Sequence, residues 1–118
     1  MSIPIFTAQL EKSREATDLA NLRAAKAAAV AEYLVGNKTD TNVTWTDADD
    51  PSKGFTAYYD AQAGTLVAAN AGKKYGKGTK TDGGNADAGL GYTATTEASG
   101  KDIKVVVNDK GECTFTWE

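Results

Sequence analysis

Residues 6–35 read FTAQLEKSREATDLANLRAAKAAAVAEYLV, a run without a single Gly or Pro. Ala, Glu, Lys, Arg, Leu and Gln dominate it, and these side chains lose little freedom in a helix. All 12 glycines of the chain fall at Gly36 or later. The run predicts one long helix that starts just after Pro4 and is stopped by Gly36 as its C-cap. Pro4 fits a first turn, where its missing N–H has no intrahelical partner. Such a rod is about 48 Å long, against a usual helix of about 11–12 residues. It cannot bury its whole length against the residues that follow.

The helical wheel carries two apolar stripes. One holds Leu19, Leu22, Val30 and Tyr33, with Leu34 at its edge; the other holds Phe6, Leu10, Ala20, Ala24, Ala27, Ala28, Ala31 and Val35. An ordinary surface helix shows one stripe and one polar face. Glu11, Lys12, Arg14, Glu15, Asp18, Arg23, Lys26 and Glu32 interrupt both stripes, and Lys26 falls where the domain side calls for an apolar residue. The natural reading is a helix with two neighbours: its own domain, and a second helix, most simply another subunit, met through the small alanines. The plainer alternative is an alanine-rich helix that is stable and solvated.

Beyond Gly36 the pattern changes. Residues 37–54 are rich in Thr, Asp and Asn and read as a connecting loop, with a short strand at Val43-Thr44-Trp45. Residues 54–59 and 65–69 read as strands about a turn at Ala63-Gly64. Residues 70–91 form a long loop with seven glycines and four lysines, and loops of that length are usually functional surfaces or flexible. Residues 91–96 suggest another strand. The clearest β signal is Ile103–Val107 and Cys113–Trp117 about a Gly-bearing turn at 108–111. There Cys113, Phe115 and Trp117 share the face expected to meet the helix. The whole is a single α+β domain over 1–118: helix 3–36, loop 37–54, then sheet and loops over 55–118. The long N-terminal helix would pack on an antiparallel meander of three to five strands.

Composition removes several classes of function. There is no His, so the commonest general base and metal ligand is missing, and a Ser-His-Asp arrangement is impossible. The single Cys113 allows no intrachain disulfide and reads as a small strand residue rather than a nucleophile. A net charge of −3 argues against binding driven by phosphate neutralisation. No run of 18 apolar residues spans a membrane. Leu, Ile, Val and Phe make up only 19 of 118 residues while Ala alone supplies 20, so the core is thin. No carboxylate shows an apolar setting that would shift its pKa. No catalytic residue, cofactor or metal site is expected.

The stretch Ile3-Pro4-Ile5-Phe6-Thr7-Ala8-Gln9-Leu10-Glu11-Lys12-Ser13-Arg14-Glu15-Ala16, continued by Asp18-Leu19-Ala20-Asn21-Leu22-Arg23-Ala24-Ala25, resembles the N-terminal helix of type IV pilins just after its membrane-embedded half. The match covers about residues 3–34, and the remainder is similar only in architecture. The resemblance implies a structural subunit of a surface filament that serves adhesion, twitching motility and aggregation. It implies a leader and a hydrophobic half ahead of this segment, which anchor the chain in the cytoplasmic membrane before assembly and form the filament core afterwards. Met1-Ser2 then reads as an added start that leaves a soluble form. Partners would be other pilin subunits and the pilus assembly machinery, with no small-molecule substrate. A lone cysteine departs from the C-terminal disulfide of many pilins and leans towards a Gram-positive or anaerobic organism. The alternative is a minor pilin or secretion pseudopilin that binds DNA, a surface or secreted cargo.

On this reading Phe6, Leu10, Ala20, Ala24, Ala27 and Ala31 form the assembly face of the helix. Leu19, Leu22, Val30, Tyr33, Phe115 and Trp117 form the internal core. Lys73, Lys74, Lys77 and Lys80, with Tyr75 among them for stacking, are a candidate polyanion contact. Asp47, Asp49 and Asp50, and the segment Asp82-Gly83-Gly84-Asn85-Ala86-Asp87, offer oxygen ligands but fit turns better than a calcium loop.

Overall fold

The computed structural model describes residues 3–80, 83–93 and 95–118, with side chains from Gln9 onward. Helix α1 spans Ile3–Val35. It ends where Gly36 takes a left-handed φ of +61° and donates its N–H to Glu32 O at 3.0 Å. Strands follow at β1 (Thr44–Trp45), β2 (Phe55–Asp60), β3 (Thr65–Val67), β4 (Ile103–Val107) and β5 (Cys113–Trp117), with single 3₁₀ turns at Pro51–Lys53 and Ala88–Leu90. All pairings are antiparallel. β4 lies between β2 and β5, and the short β1 and β3 both pair with β2. The arrangement is α+β: one N-terminal helix packed on a five-stranded antiparallel sheet.

Side-chain chemistry explains both hairpins. At the β2–β3 turn the Asp60 carboxylate accepts the N–H groups of Gln62 and Ala63 at 3.0 and 3.1 Å. At the β4–β5 turn Asn108 Oδ1 accepts those of Lys110 and Glu112, each at 2.9 Å. Such local bonds replace the ladder where the chain reverses. In β2 alternate residues turn inward, with Phe55, Ala57 and Tyr59 buried. In β3 the inward residue is Leu66, opposite Tyr59. The strand expected over 91–96 is absent among the described residues; Asp87 and Tyr92 form only a single bridge, and Tyr92 turns inward.

The helix meets the sheet through Leu19, Leu22, Ala25 and Ala29, all buried with Phe55, Ile103, Val105 and Val107. Two alanines at the centre of this seam let the helix lie close to the sheet, whose larger side chains fill the volume. This corrects the wheel reading. Tyr33, Phe115 and Trp117 are half-buried against the core, as is Ala28. Val30 is 38% exposed and Leu34 76% exposed, because the buried line runs through 22, 25 and 29 and each further residue turns about 100° away from it. Lys26 is exposed for the same reason, so the apparent break in the domain-facing side is no break. Among the described residues, no helix is long and apolar enough to cross a membrane.

Candidate functional site

Traced towards its N-terminus, the buried line 29, 25, 22 continues at the same spacing through Asp18, Glu15 and Glu11. All three carboxylates are buried. One face of one helix therefore changes chemistry halfway along. Its C-terminal half lies on the sheet, and its N-terminal half lies under the glycine- and lysine-rich loop.

Backbone amides of that loop hold the carboxylates. Asp18 accepts the N–H groups of Lys77 and Gly78 at 2.8 and 2.7 Å, and the Tyr92 hydroxyl at 2.8 Å. Glu11 accepts the Thr79 N–H and Oγ1–H, both at 2.8 Å. Glu15 accepts the N–H groups of Gly83 and Asn85 at 3.1 and 3.0 Å. Asn85 Nδ2 donates to Lys12 O at 2.9 Å, and Arg14 Nη1 lies 3.5 Å from Glu11 Oε1. Buried anions are tolerated when charge-assisted hydrogen bonds replace their hydration. Burial, with Asp18 alongside, pushes the Tyr92 phenol far above the usual tyrosine range.

Glycine is needed for this close approach. A Cβ on Gly78 would run into Tyr92 Oη and lie 2.7 Å from Asp18 Oδ2. One on Gly83 would come within 2.6 Å of Glu15 Oε1 and 2.7 Å of Lys12 N. The loop is further tied down from its other side, where Gly78 O accepts the N–H groups of Ala98 and Ser99, both at 2.8 Å. Lys74 N–H donates to the buried Asp102 at 2.7 Å. The segment, expected to be a functional surface or a flexible loop, is fastened across the helix as a strap through its described residues.

Because the strap turns its amides inward, the side chains of Lys73, Lys74, Lys77 and Lys80 remain exposed. Tyr75 does not join them. Its hydroxyl donates to Tyr59 O at 2.6 Å and accepts the Ile103 N–H at 2.9 Å, and its ring packs edge-on against Tyr59 and Trp117. The stacking partner expected for a polyanion is therefore committed to the interior.

Opposite the buried line lies a second line at the same spacing: Leu10, Ser13, Thr17, Ala20, Ala24, Ala27, Ala31 and Leu34. Every one of these residues is exposed, Leu10 at 40%, and Val35 beside them is 74% exposed. Four of the residues expected on an assembly face, Ala20, Ala24, Ala27 and Ala31, share this line with Leu10. Leu34, first placed at the core edge, belongs here. The Phe6 side chain lies outside the described residues.

The acidic clusters resolve into turns. Asp47 accepts the Asp49 N–H at 2.9 Å, and Asp87 accepts the Gly89 N–H at 3.0 Å. Asp50 caps the first 3₁₀ turn through Ser52 Oγ and N, which hold its carboxyl below the usual range. Asp82 lies outside the described residues. Among the described residues, no three acidic or sulfur side chains converge as a metal cage requires. Burial pushes the Cys113 thiol up, partly offset by Lys26. Against the expectation that no carboxylate has an apolar setting that shifts its pKa, burial, then the hydrogen bond and charge of Asp40, push Glu32 up to about 7.

No protein-family profile, no curated protein and no solved structure matches the chain.

Proposed function

We propose that this chain is the globular part of a type IV pilin, a structural subunit that polymerises into a surface filament. The observation that carries the reading is the exposed line Leu10, Ala20, Ala24, Ala27, Ala31 and Leu34 on a helix whose opposite side is fully used. Small side chains let two helix backbones approach closely, and water gains nothing from them. Head-to-tail contacts that do not close on themselves produce filaments rather than rings. The sheet and strap would then form the outer shell, and the reading assigns the chain no catalysis. Filaments sheared from cells that carry the gene should contain this chain as their dominant protein; its absence from them would sink the proposal.

The second reading, a minor pilin or pseudopilin with a binding role, draws on the four exposed lysines of the strap. Replacing Lys73, Lys74, Lys77 and Lys80 by Ala should remove salt-sensitive binding to DNA or another polyanion. Binding that is unchanged in the quadruple variant ends this reading.

A further inference from the structure

Burial changes the charge that this chain shows to a partner. The sequence holds 16 acidic and 13 basic residues. Glu11, Glu15, Asp18, Asp60 and Asp102 are buried, so among the described residues ten Lys and Arg residues are exposed against five Asp and Glu residues. The two signs are also separated along α1. The strap lies on Glu11, Glu15 and Asp18, near the start of the helix, and over residues 70–80 it carries four lysines and no carboxylate. The acids beneath it are taken up by backbone N–H groups, which leaves Lys73, Lys74, Lys77 and Lys80 without an ion pair among the described residues. Lys74 is held in place: it is the one described non-glycine residue with a left-handed φ, +57°, and its N–H is fixed on the buried Asp102 at 2.7 Å. The other end of the molecule has the opposite sign. The Tyr33 hydroxyl lies 3.1 Å from Ser52 O and 3.2 Å from Asp109 O, which gathers the loop after α1 and the β4–β5 turn about the end of the helix. Asp40, Asp47, Asp49, Asp50, Asp109 and Glu112 stand there against Lys38, Lys53 and Lys110. A groove of about 560 Å³ runs between the two loops, with Asp47, Asp109 and Lys53 on its walls beside the exposed Val106. Asp18 and Tyr33 are separated by about 22 Å along the helix axis, so strap and groove face different neighbours.

We propose that the strap of one copy of this chain docks on the acidic end of the next copy, its lysines meeting Asp47 and Asp109 across the groove. The proposal rests on the reading of the chain as a filament subunit, and adds a second contact to the open helix face. A lysine suits such a groove, because its methylene stem lies on Val106 while its ammonium reaches a carboxylate. Lys53 on the same wall repels an incoming lysine but is outnumbered by the two carboxylates. A polyanion would satisfy the strap alone, whereas a second copy satisfies the strap and the acidic end at once. Each copy offers a strap at one end and a groove at the other, so the contact is heterologous and extends from copy to copy without closing. Charge pairs of this kind set register and orientation, and salt weakens them.

The test is a charge swap read by sedimentation of the whole chain at about 0.01 M and about 1 M salt. The parent should self-associate at low salt, and high salt should weaken that association about tenfold or more. A strap variant combines Lys73→Glu, Lys74→Glu, Lys77→Glu and Lys80→Glu; an end variant combines Asp47→Lys and Asp109→Lys. Each alone sets like charges against one another and should lose the association. An equal mixture should regain it, since the altered strap attracts the altered groove and the two unaltered surfaces still match. Should the end variant fail to fold, Asp109→Lys alone, at an exposed turn position, takes its place. A parent that does not self-associate at low salt overturns the contact, even if its strap binds DNA. So does association that survives in either variant, or a mixture that stays apart. The filament reading is judged separately, by filaments sheared from cells with the unaltered chain; normal filaments from the strap variant alone would keep that reading and remove this contact.

Discussion

The Tyr92 hydroxyl donates to Asp18 at 2.8 Å, joining the middle of the helix to a residue 74 positions later in the chain. The same carboxylate holds two amides of the strap, so Asp18 is the knot between helix, strap and the turn that carries Tyr92. Asp18→Asn replaces a charged acceptor with a group that can also point donors at donors, and should cost about 1.5–3 kcal/mol. Tyr92→Phe removes one bond and should cost about 1 kcal/mol. Chemical denaturation of both variants and the double variant should show a coupling of at least about 0.5 kcal/mol, because the two residues share a bond.

Gly78→Ala should destabilise the fold by about 1–3 kcal/mol, since its methyl group enters space held by Tyr92 and Asp18. At Gly89 an added Cβ meets only Asp87 Oδ1, at 3.3 Å, so Gly89→Ala should cost clearly less. Thermal melts of the two variants, run side by side, check the ranking.

Ala24→Gln and Ala27→Arg place bulk on the open side of the helix. Both positions are exposed, so the stability of the isolated chain should stay within about 0.5 kcal/mol of the parent. In cells, the same substitutions should stop filament assembly, which electron microscopy of the cell surface reads directly. Normal filaments with Ala27→Arg would show that this face is not buried in them.

The carboxyl pair predicts a pH dependence with a definite sign. Glu32 is raised from 4.5 to about 7, so the folded state holds its proton more tightly than the unfolded chain does. Its contribution is complete below about 4.5 and is lost as pH rises through about 7. Asp40, lowered from 3.8, works the other way: its contribution is present above that value and is lost as pH falls through its lowered one. The denaturation midpoint should therefore fall as pH rises from about 5 to 8, and Glu32→Gln should flatten that slope.

Much of the architecture was legible because local chemistry settles it. The Gly- and Pro-free run, with Gly36 behind it, leaves little alternative to a helix. Asn108 and Gly111 between two β-branched stretches define the last hairpin. The strap was not legible, for a specific reason. Its partners are backbone amides, which every residue but proline possesses, so no residue type announces them. Glu11, Glu15 and Asp18 looked like interruptions of an apolar stripe, yet their 4-3 spacing runs straight into Leu22, Ala25 and Ala29. That shared phase was the available signal. Tyr92 was misread for a related cause: its alternation with small and β-branched neighbours suggests a strand, whereas its buried hydroxyl is committed to Asp18. The open helix face was readable as a set of small residues, although Leu34 needed the observed rotation of the helix to join it.

The change of chemistry along α1 also sets how the molecule would carry a mechanical load. A pull on the N-terminal end of the helix, directed along its axis, reaches Glu11, Glu15 and Asp18 before it reaches Leu22 and Ala25. The hydrogen bonds to those carboxylates join helix to strap, so such a pull acts on several of them as well as on the apolar seam. The strap is in turn bonded to Ala98, Ser99 and Asp102, so it gives the N-terminal half of the helix a second attachment to the domain, separate from the alanine seam.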